Sequence, residues 1–210
     1  MKFTVEKNTL LKSLSHVQSI VEKRNTLPIL SNILLDAKEN SLILSATDMD
    51  ISITEKLNCN IIEEGSTTVS AHTLYDIIRK LPDTSEIEII SNDGKIISLR
   101  SGKSKFSLGC LPKKDFPIIE ISDLEIEINI DSHKFLRLMD KTRFAISNEE
   151  TRYFLNGIYF HKKKEDHSNL LSVVATDGHR LAKIDFNFNE DSEEIVGVIV
   201  PKKTVNELCK

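Results

Sequence analysis

The sequence predicts an α+β chain that uses one plan twice, each unit packing two amphipathic helices on antiparallel sheets. Three observations carry this. The order of strand and helix patterns restarts near Glu125. Matching Phe3 to Ile128, Asn32 to Asn156, Asp48 to Asp177 and Val69 to about Val198 gives spacings of 124 to 130, the signature of a duplicated unit with small loop differences. Finally, Ala-Thr-Asp closes an apolar run at Ala46-Thr47-Asp48 and again at Ala175-Thr176-Asp177, and only the second copy continues as Gly178-His179-Arg180.

The first unit opens with a strand at Phe3. A helix over 7–24 follows, because Leu10, Leu14, Val17 and Val21 recur at helical spacing opposite Lys12, His16 and Lys23. ILSNILLDA, SLILSA, DISITEKL and STTVSA read as strands, and LYDIIRKL as a second helix. EIEIIS, KIISLR and KFSLGCL form a meander turned at Asp93-Gly94 and Ser101-Gly102. In the second unit EIEINI is a strand, SHKFLRLMDKTRF a helix and LNGIYFHKKK a strand. LLSVVATDGHRLAKIDF is a hairpin through Asp177-Gly178, VGVIVP a strand and KKTVNELCK a helix. Pro117 and the weak periodicity of 113–123 place the boundary there, giving domains 1–120 and 121–210. The second unit has no counterpart of the first unit's last three strands, so a fragment of something longer is expected.

With 40% hydrophobic and 29% charged residues, 210 residues suffice for two soluble cores. No apolar run approaches the roughly 20 residues of a membrane span, so the expectation is a cytoplasmic protein with no membrane partner. Cys59, Cys110 and Cys209 are too far apart for a close-paired zinc site and odd in number for a disulfide framework, so reduced thiols and no metal are expected. There is no G-x-S-x-G elbow, H-E-x-x-H helix or phosphate-cradling loop; no catalytic residue and no cofactor are assigned.

The net charge of −4 hides an uneven distribution. The helical segments 7–24, 72–80, 132–143 and 202–210 carry +3, +1, +3 and +2, together +9, which leaves −13 for strands and loops. If the helices of both units lie on the same side of their sheets, a basic surface is backed by an acidic one, which suits a polyanion on one side only, and duplex DNA held through phosphates, without base reading, is the obvious one. The ordinary alternative for Lys12, Lys134, Arg137 or Lys141 taken singly is a solvated helix face.

MKFTVEKNTLL, TLPILSN, RSGKSKFSLGCLPKKDFP, RYFLNGI and ATDGHRLA, in this order, resemble the bacterial DNA polymerase III beta subunit family, the replicative sliding clamps. The resemblance spans essentially the whole chain. It implies a DNA-clamp fold: three such domains per subunit, head-to-tail homodimers closing a ring around duplex DNA, and helices lining the hole. This chain resembles the first domain and most of the second. Arg24, Arg79, Lys80, Lys134, Arg137, Lys141, Lys202 and Lys203 are then expected to approach DNA. Arg152, Tyr153 and Phe154 match a loop that touches nucleic acid, where many relatives have two tyrosines; the alternative is that Tyr153 and Phe154 simply start a strand.

Leu155, Thr176, Gly178, His179, Arg180 and Leu181 resemble the family's groove for short peptides of the polymerase catalytic subunit, clamp loader and repair proteins. Differences between two copies of one fold mark specialised work, which would explain why Gly-His-Arg occurs once; otherwise His179 is a turn residue bonded to backbone. Lys103, Lys105, Phe106 and Leu108 resemble the strand edge through which subunits join, although core packing and solvated lysines would look the same. The function implied is a processivity subunit that tethers the polymerase; the competing reading is a non-encircling DNA-binding or peptide-adaptor module.

Overall fold

The computed structural model describes residues 1–22, 27–83, 85–118, 129–149, 151–165, 168–187 and 197–210. It divides into two compact units, Met1–Glu120 and Ile121–Lys210.

In the first unit β1 (Lys2–Glu6) leads directly into α1 (Lys7–Val17), then β2 (Asn32–Lys38), β3 (Ser41–Thr47), β4 (Ser52–Asn58), β5 (Asn60–Glu63) and β6 (Gly65–Ser70). α2 (Ala71–Lys80) precedes β7 (Glu86–Ser91), β8 (Ile96–Ser101) and β9 (Ser104–Leu111). The strands form one antiparallel run ordered β4-β3-β2-β6-β9-β8-β7-β1-β5. α1 and α2 pack against each other, burying Leu10, Leu14 and Val17 from one and Ala71, Leu74 and Ile78 from the other. These meet Phe3, Ile33, Leu35, Leu42, Leu44, Ile87 and Ile89 in one core. Each such side chain contributes about 1.5–3 kcal/mol by leaving water.

Three expectations change. α1 stops at Val17, seven residues short of the predicted end, because the chain turns at Gln18 while Ile20 and Val21 still reach the core. β2 starts at Asn32 because Pro28–Ser31 forms a 3-10 turn, where proline's fixed φ suits a first helical position. β5 was not expected; it pairs with β1 at the sheet edge.

The second unit contains α3 (Ser132–Thr142), β10 (Gly157–Glu165), β11 (Ser168–Thr176), β12 (Leu181–Asn187), β13 (Val198–Pro201) and α4 (Lys202–Leu208). Most of the expected strand EIEINI, including Ile128, lies outside the described residues. The Asp131 side chain caps α3, accepting from Lys134 N at 3.1 Å. Leu138, Met139 and Val205 close over Ile158, Phe160, Leu171, Val173 and Ala182.

The sheet order β12-β11-β10-β13 repeats β4-β3-β2-β6. The ladders refine how the copies correspond. The pairs Asn32–Ser70, Leu34–Ser45 and Thr47–Ser52 recur as Gly157–Pro201, Tyr159–Val174 and Thr176–Leu181, a shift of 125 for β2, 129 for β3 and β4 and 131 for β6. Asn32 therefore corresponds to Gly157 instead of Asn156, and Val69 to Val200 instead of Val198. The reason is facial: Ile33 and Ile158 are both fully buried, and a slip of one residue would turn Ile158 outward.

Candidate nucleic-acid face and partner groove

The turns that follow the two Ala-Thr-Asp copies are built alike. In the first, Thr47 Oγ1 accepts from Met49 N at 3.1 Å, and Asp48 Oδ1 accepts from Asp50 N and Ile51 N at 3.0 and 2.8 Å. In the second, Thr176 Oγ1 accepts from Gly178 N at 3.1 Å, and Asp177 Oδ1 accepts from His179 N and Arg180 N at 3.0 and 2.9 Å. Met49 and Gly178 share a positive φ, +82° and +89°. Thr-Asp is thus a turn device required by the fold. The Arg180 and His179 backbone N–H groups, joined by the Arg180 side chain, hold the Asp177 carboxyl below the ordinary aspartate range.

What differs is the surface each turn presents. Ile51 is buried, whereas its counterpart Arg180 is exposed. Arg180 Nε donates to Asp177 Oδ2 at 2.9 Å, and its Cζ lies 5.6 Å from the centre of the Phe144 ring. The His179 backbone N–H bonds Asp177, but its ring has no hydrogen bond among the described residues. Leu181 is 64% exposed, and Thr176 Oγ1 donates to Arg180 O at 2.7 Å. A Cβ on Gly178 would lie 3.3 Å from Arg152 Nη1, so the turn abuts the segment leading to Leu155. Phe144 escaped the sequence reading because the helical pattern ran through it; the helix ends at Thr142 and Phe144 sits in a 3-10 turn, Arg143–Ala145.

Tyr153 and Phe154 do not begin a strand. They occupy a 3-10 turn, Tyr153–Leu155, ahead of β10, and are 79% and 55% exposed, meeting edge to face at 5.6 Å. Arg152 is held by Glu149 at 3.0 Å. Both rings are thus left in water.

Of the basic helical residues, Lys134, Arg137 and Lys141 are exposed and spaced i, i+3, i+7, one stripe along α3. Lys134 Nζ lies 5.4 Å from the centre of the Phe186 ring. Arg79 and Lys80 are exposed in the last turn of α2, where the helix dipole favours cations, and Arg79 is paired with Asp76 at 3.1 Å. Lys202 and Lys203 are half-buried at the start of α4, and Lys202 Nζ donates to Asn148 Oδ1. Arg24 and Lys23 lie outside the described residues. Lys7, counted among the α1 cations, is only 4% exposed and paired with Asp83 at 2.5 Å, so it adds nothing to a phosphate-binding face.

β9 pairs with β8 from Ser104 to Gly109, whereas on its other side only Cys110 and Leu111 meet β6. Among the described residues the opposite edge of Ser104–Gly109 has no strand. Phe106 and Leu108 are half-buried against the core, and Lys103 and Lys105 are exposed. Between this edge and α2 lies a cavity of about 440 Å³ lined by Phe106, Ile77, His72 and Lys80, among others. No helix among the described residues is long and apolar enough to cross a membrane.

Comparison with known proteins places both units. Residues 1–120 match the DNA polymerase III beta subunit N-terminal domain, and residues 129–210 its central domain. A beta sliding clamp of Caulobacter vibrioides is 49% identical over 208 residues, covering 99% of this chain and 56% of the relative. One of Vibrio cholerae is 39% identical over 211 residues, again 56% of the relative. A solved Caulobacter crescentus beta sliding clamp superposes with a TM-score of 0.94 at 49% identity, covering 99% of this chain and 55% of that one. A Bartonella birtlesii clamp bound to griselimycin gives 0.92 at 47% identity, over 100% and 56%. The chain therefore spans about half the length of these relatives. With both units matched in order and the sheet plan repeated in each, the chain belongs to the DNA polymerase III beta subunit family.

Proposed function

We propose that this chain is the first domain and most of the second domain of a replicative sliding clamp, which holds duplex DNA without reading its bases and tethers the polymerase. The α3 stripe of Lys134, Arg137 and Lys141 supports the DNA-facing role, since evenly spaced, solvent-facing cations bridge phosphates and release counterions irrespective of sequence. The same DNA-facing role is assigned to Arg24, Arg79, Lys80, Lys202 and Lys203, and stacking on bases to Arg152, Tyr153 and Phe154. The observation that carries the reading is the match to clamps along the whole chain, with both units in order.

Within the same reading, Leu155, Thr176, Gly178, His179, Arg180 and Leu181 dock short peptides of the polymerase catalytic subunit, clamp loader and repair proteins. An exposed leucine beside the Arg180 guanidinium and an imidazole that has no hydrogen bond among the described residues offers an apolar anchor point with polar orientation. The Bartonella birtlesii relative binds griselimycin, and the groove reading takes this surface as the place where this chain would receive that ligand. The open edge of β9, with Lys103, Lys105, Phe106 and Leu108, joins a second subunit as a head-to-tail homodimer by strand addition. The reading assigns no catalysis and a cytoplasmic location.

Retention on DNA tests the tethering reading. The chain, completed to the length of its relatives and loaded on nicked circular DNA, remains bound through a high-salt wash and is lost when the circle is cut. A non-encircling module would leave circular and linear DNA at the same rate, which would overturn the ring.

A further inference from the structure

We propose that Phe144 is a positioning residue of the hairpin groove: its ring holds the Arg180 guanidinium flat, so that Arg180 meets a docked peptide in one orientation. The inference rests on the groove reading above and names a residue that reading does not contain.

An exposed arginine anchored at one nitrogen still swings its planar head. Asp177 takes only Nε of Arg180, and the two Nη groups have no hydrogen bond among the described residues. The Phe144 ring, 5.6 Å from Arg180 Cζ, is the second point of attachment, and it leaves the Nη edge free to donate.

Phe144 is itself anomalous. It is 58% exposed, while Ala145 and Ile146, which follow it, are buried and fix the turn that presents it. Arg143 is pinned to Asp140 at 2.9 Å on the other side. Three residues on, Ser147 N donates to Leu155 O at 3.1 Å. The segment 143–147 thus reaches Arg180 through a ring and Leu155 through a backbone bond, tying together two walls of the groove.

The internal repeat supplies an independent argument. α1 and α3 have equal length and correspond by a shift of 125, which places Ser19 where Phe144 stands. Ile51 stands where Arg180 does. The copy with a plain turn has serine and a buried isoleucine; the copy with Gly-His-Arg has a phenylalanine and an exposed arginine. Ring and guanidinium are present together in one copy and absent together from the other.

Phe144→Leu, which retains apolar bulk without a π face, is compared with Phe144→Tyr, which retains the ring, using griselimycin as the probe. Phe144→Leu is expected to bind it about two- to fivefold more weakly, the range for an exposed cation–π contact, and Phe144→Tyr to bind like the parent. The Arg180 Nε–H proton signal should lose its ring-current shift in the leucine variant only, with the thermal midpoint unchanged in both. Equal weakening by leucine and tyrosine, or an unmoved Arg180 signal in Phe144→Leu, overturns the proposal. Leu181→Ala separates the two levels: if it leaves griselimycin affinity intact, the groove reading falls, while the Arg180 signal still decides what Phe144 does.

Discussion

Gly157→Ala puts the correspondence between the two units under direct strain. Gly157 opens β10 opposite Pro201, and a Cβ there would lie 2.4 Å from Val200 O and 2.7 Å from Ile199 Cγ2. Normal contact is about 3.5 Å, so the overlap is on the order of 1 Å against backbone that cannot rotate away. Moving β13 outward would relieve it at the expense of the first β10–β13 pairs and of the bond from Lys202 N to Asn156 O at 2.8 Å, which joins the start of α4 to β10. Overpacking costs about 1–3 kcal/mol, and each weakened backbone bond costs about 0.5–1.5 kcal/mol. A destabilisation of roughly 2–4 kcal/mol of the second unit follows. Amide exchange at Ile158 and Val200 should accelerate accordingly, while exchange at Leu42 and Leu99 in the first unit stays at its original rate. The twin position supplies the control: Asn32 carries a side chain there because its Nδ2 donates to Thr68 Oγ1 at 3.0 Å, where the second unit has Ile199. Asn32→Ala should cost only about 1 kcal/mol. Unchanged exchange in Gly157→Ala would refute the close approach and the assigned register with it.

Replacing Tyr153 and Phe154 together by alanine should leave stability within about 0.5 kcal/mol, because both rings are exposed, yet weaken single-strand binding by roughly 1–3 kcal/mol per stacked base, read by fluorescence titration. Neutralising Lys134, Arg137 and Lys141 to glutamine should weaken duplex binding equally for all sequences and reduce the slope of log K against log salt by about 0.9 for each phosphate that is no longer neutralised. Because the Asp177 carboxyl titrates below its unfolded value, the turn's stabilisation is present above the ordinary aspartate range near pH 4 and is lost as pH falls through the folded value. The Arg180 amide signal should therefore show an acid inflection below about pH 4, as the Asp177 carboxyl is protonated and its bonds to the turn are lost. Leu74→Ala empties a fully buried site between α2 and the first sheet and should cost about 2–5 kcal/mol in urea unfolding.

The sequence by itself determined the duplication and the class of each element, because apolar periodicity is imposed by whichever face must leave water. The buried Leu10, Leu14 and Val17 of α1, and Leu74 and Ile78 of α2, repeat the spacing written in the chain. The Thr-Asp turns were legible too, since a side chain that bonds backbone two and three residues ahead is a local event. Distant partners decided the rest. α1 loses its last predicted turns and Lys7 its exposure through packing against other parts of the unit, the latter with Asp83, 76 positions away. Ladder pairing moved the partner of Asn32 from Asn156 to Gly157, a choice invisible to spacing because one residue reverses a strand's faces without altering its composition. Phe144 looked like one more apolar residue of a helix. Only the approach of β12 to the turn after α3 set Arg180 over its ring, and such through-space neighbours depend on how elements pack, which no local pattern records.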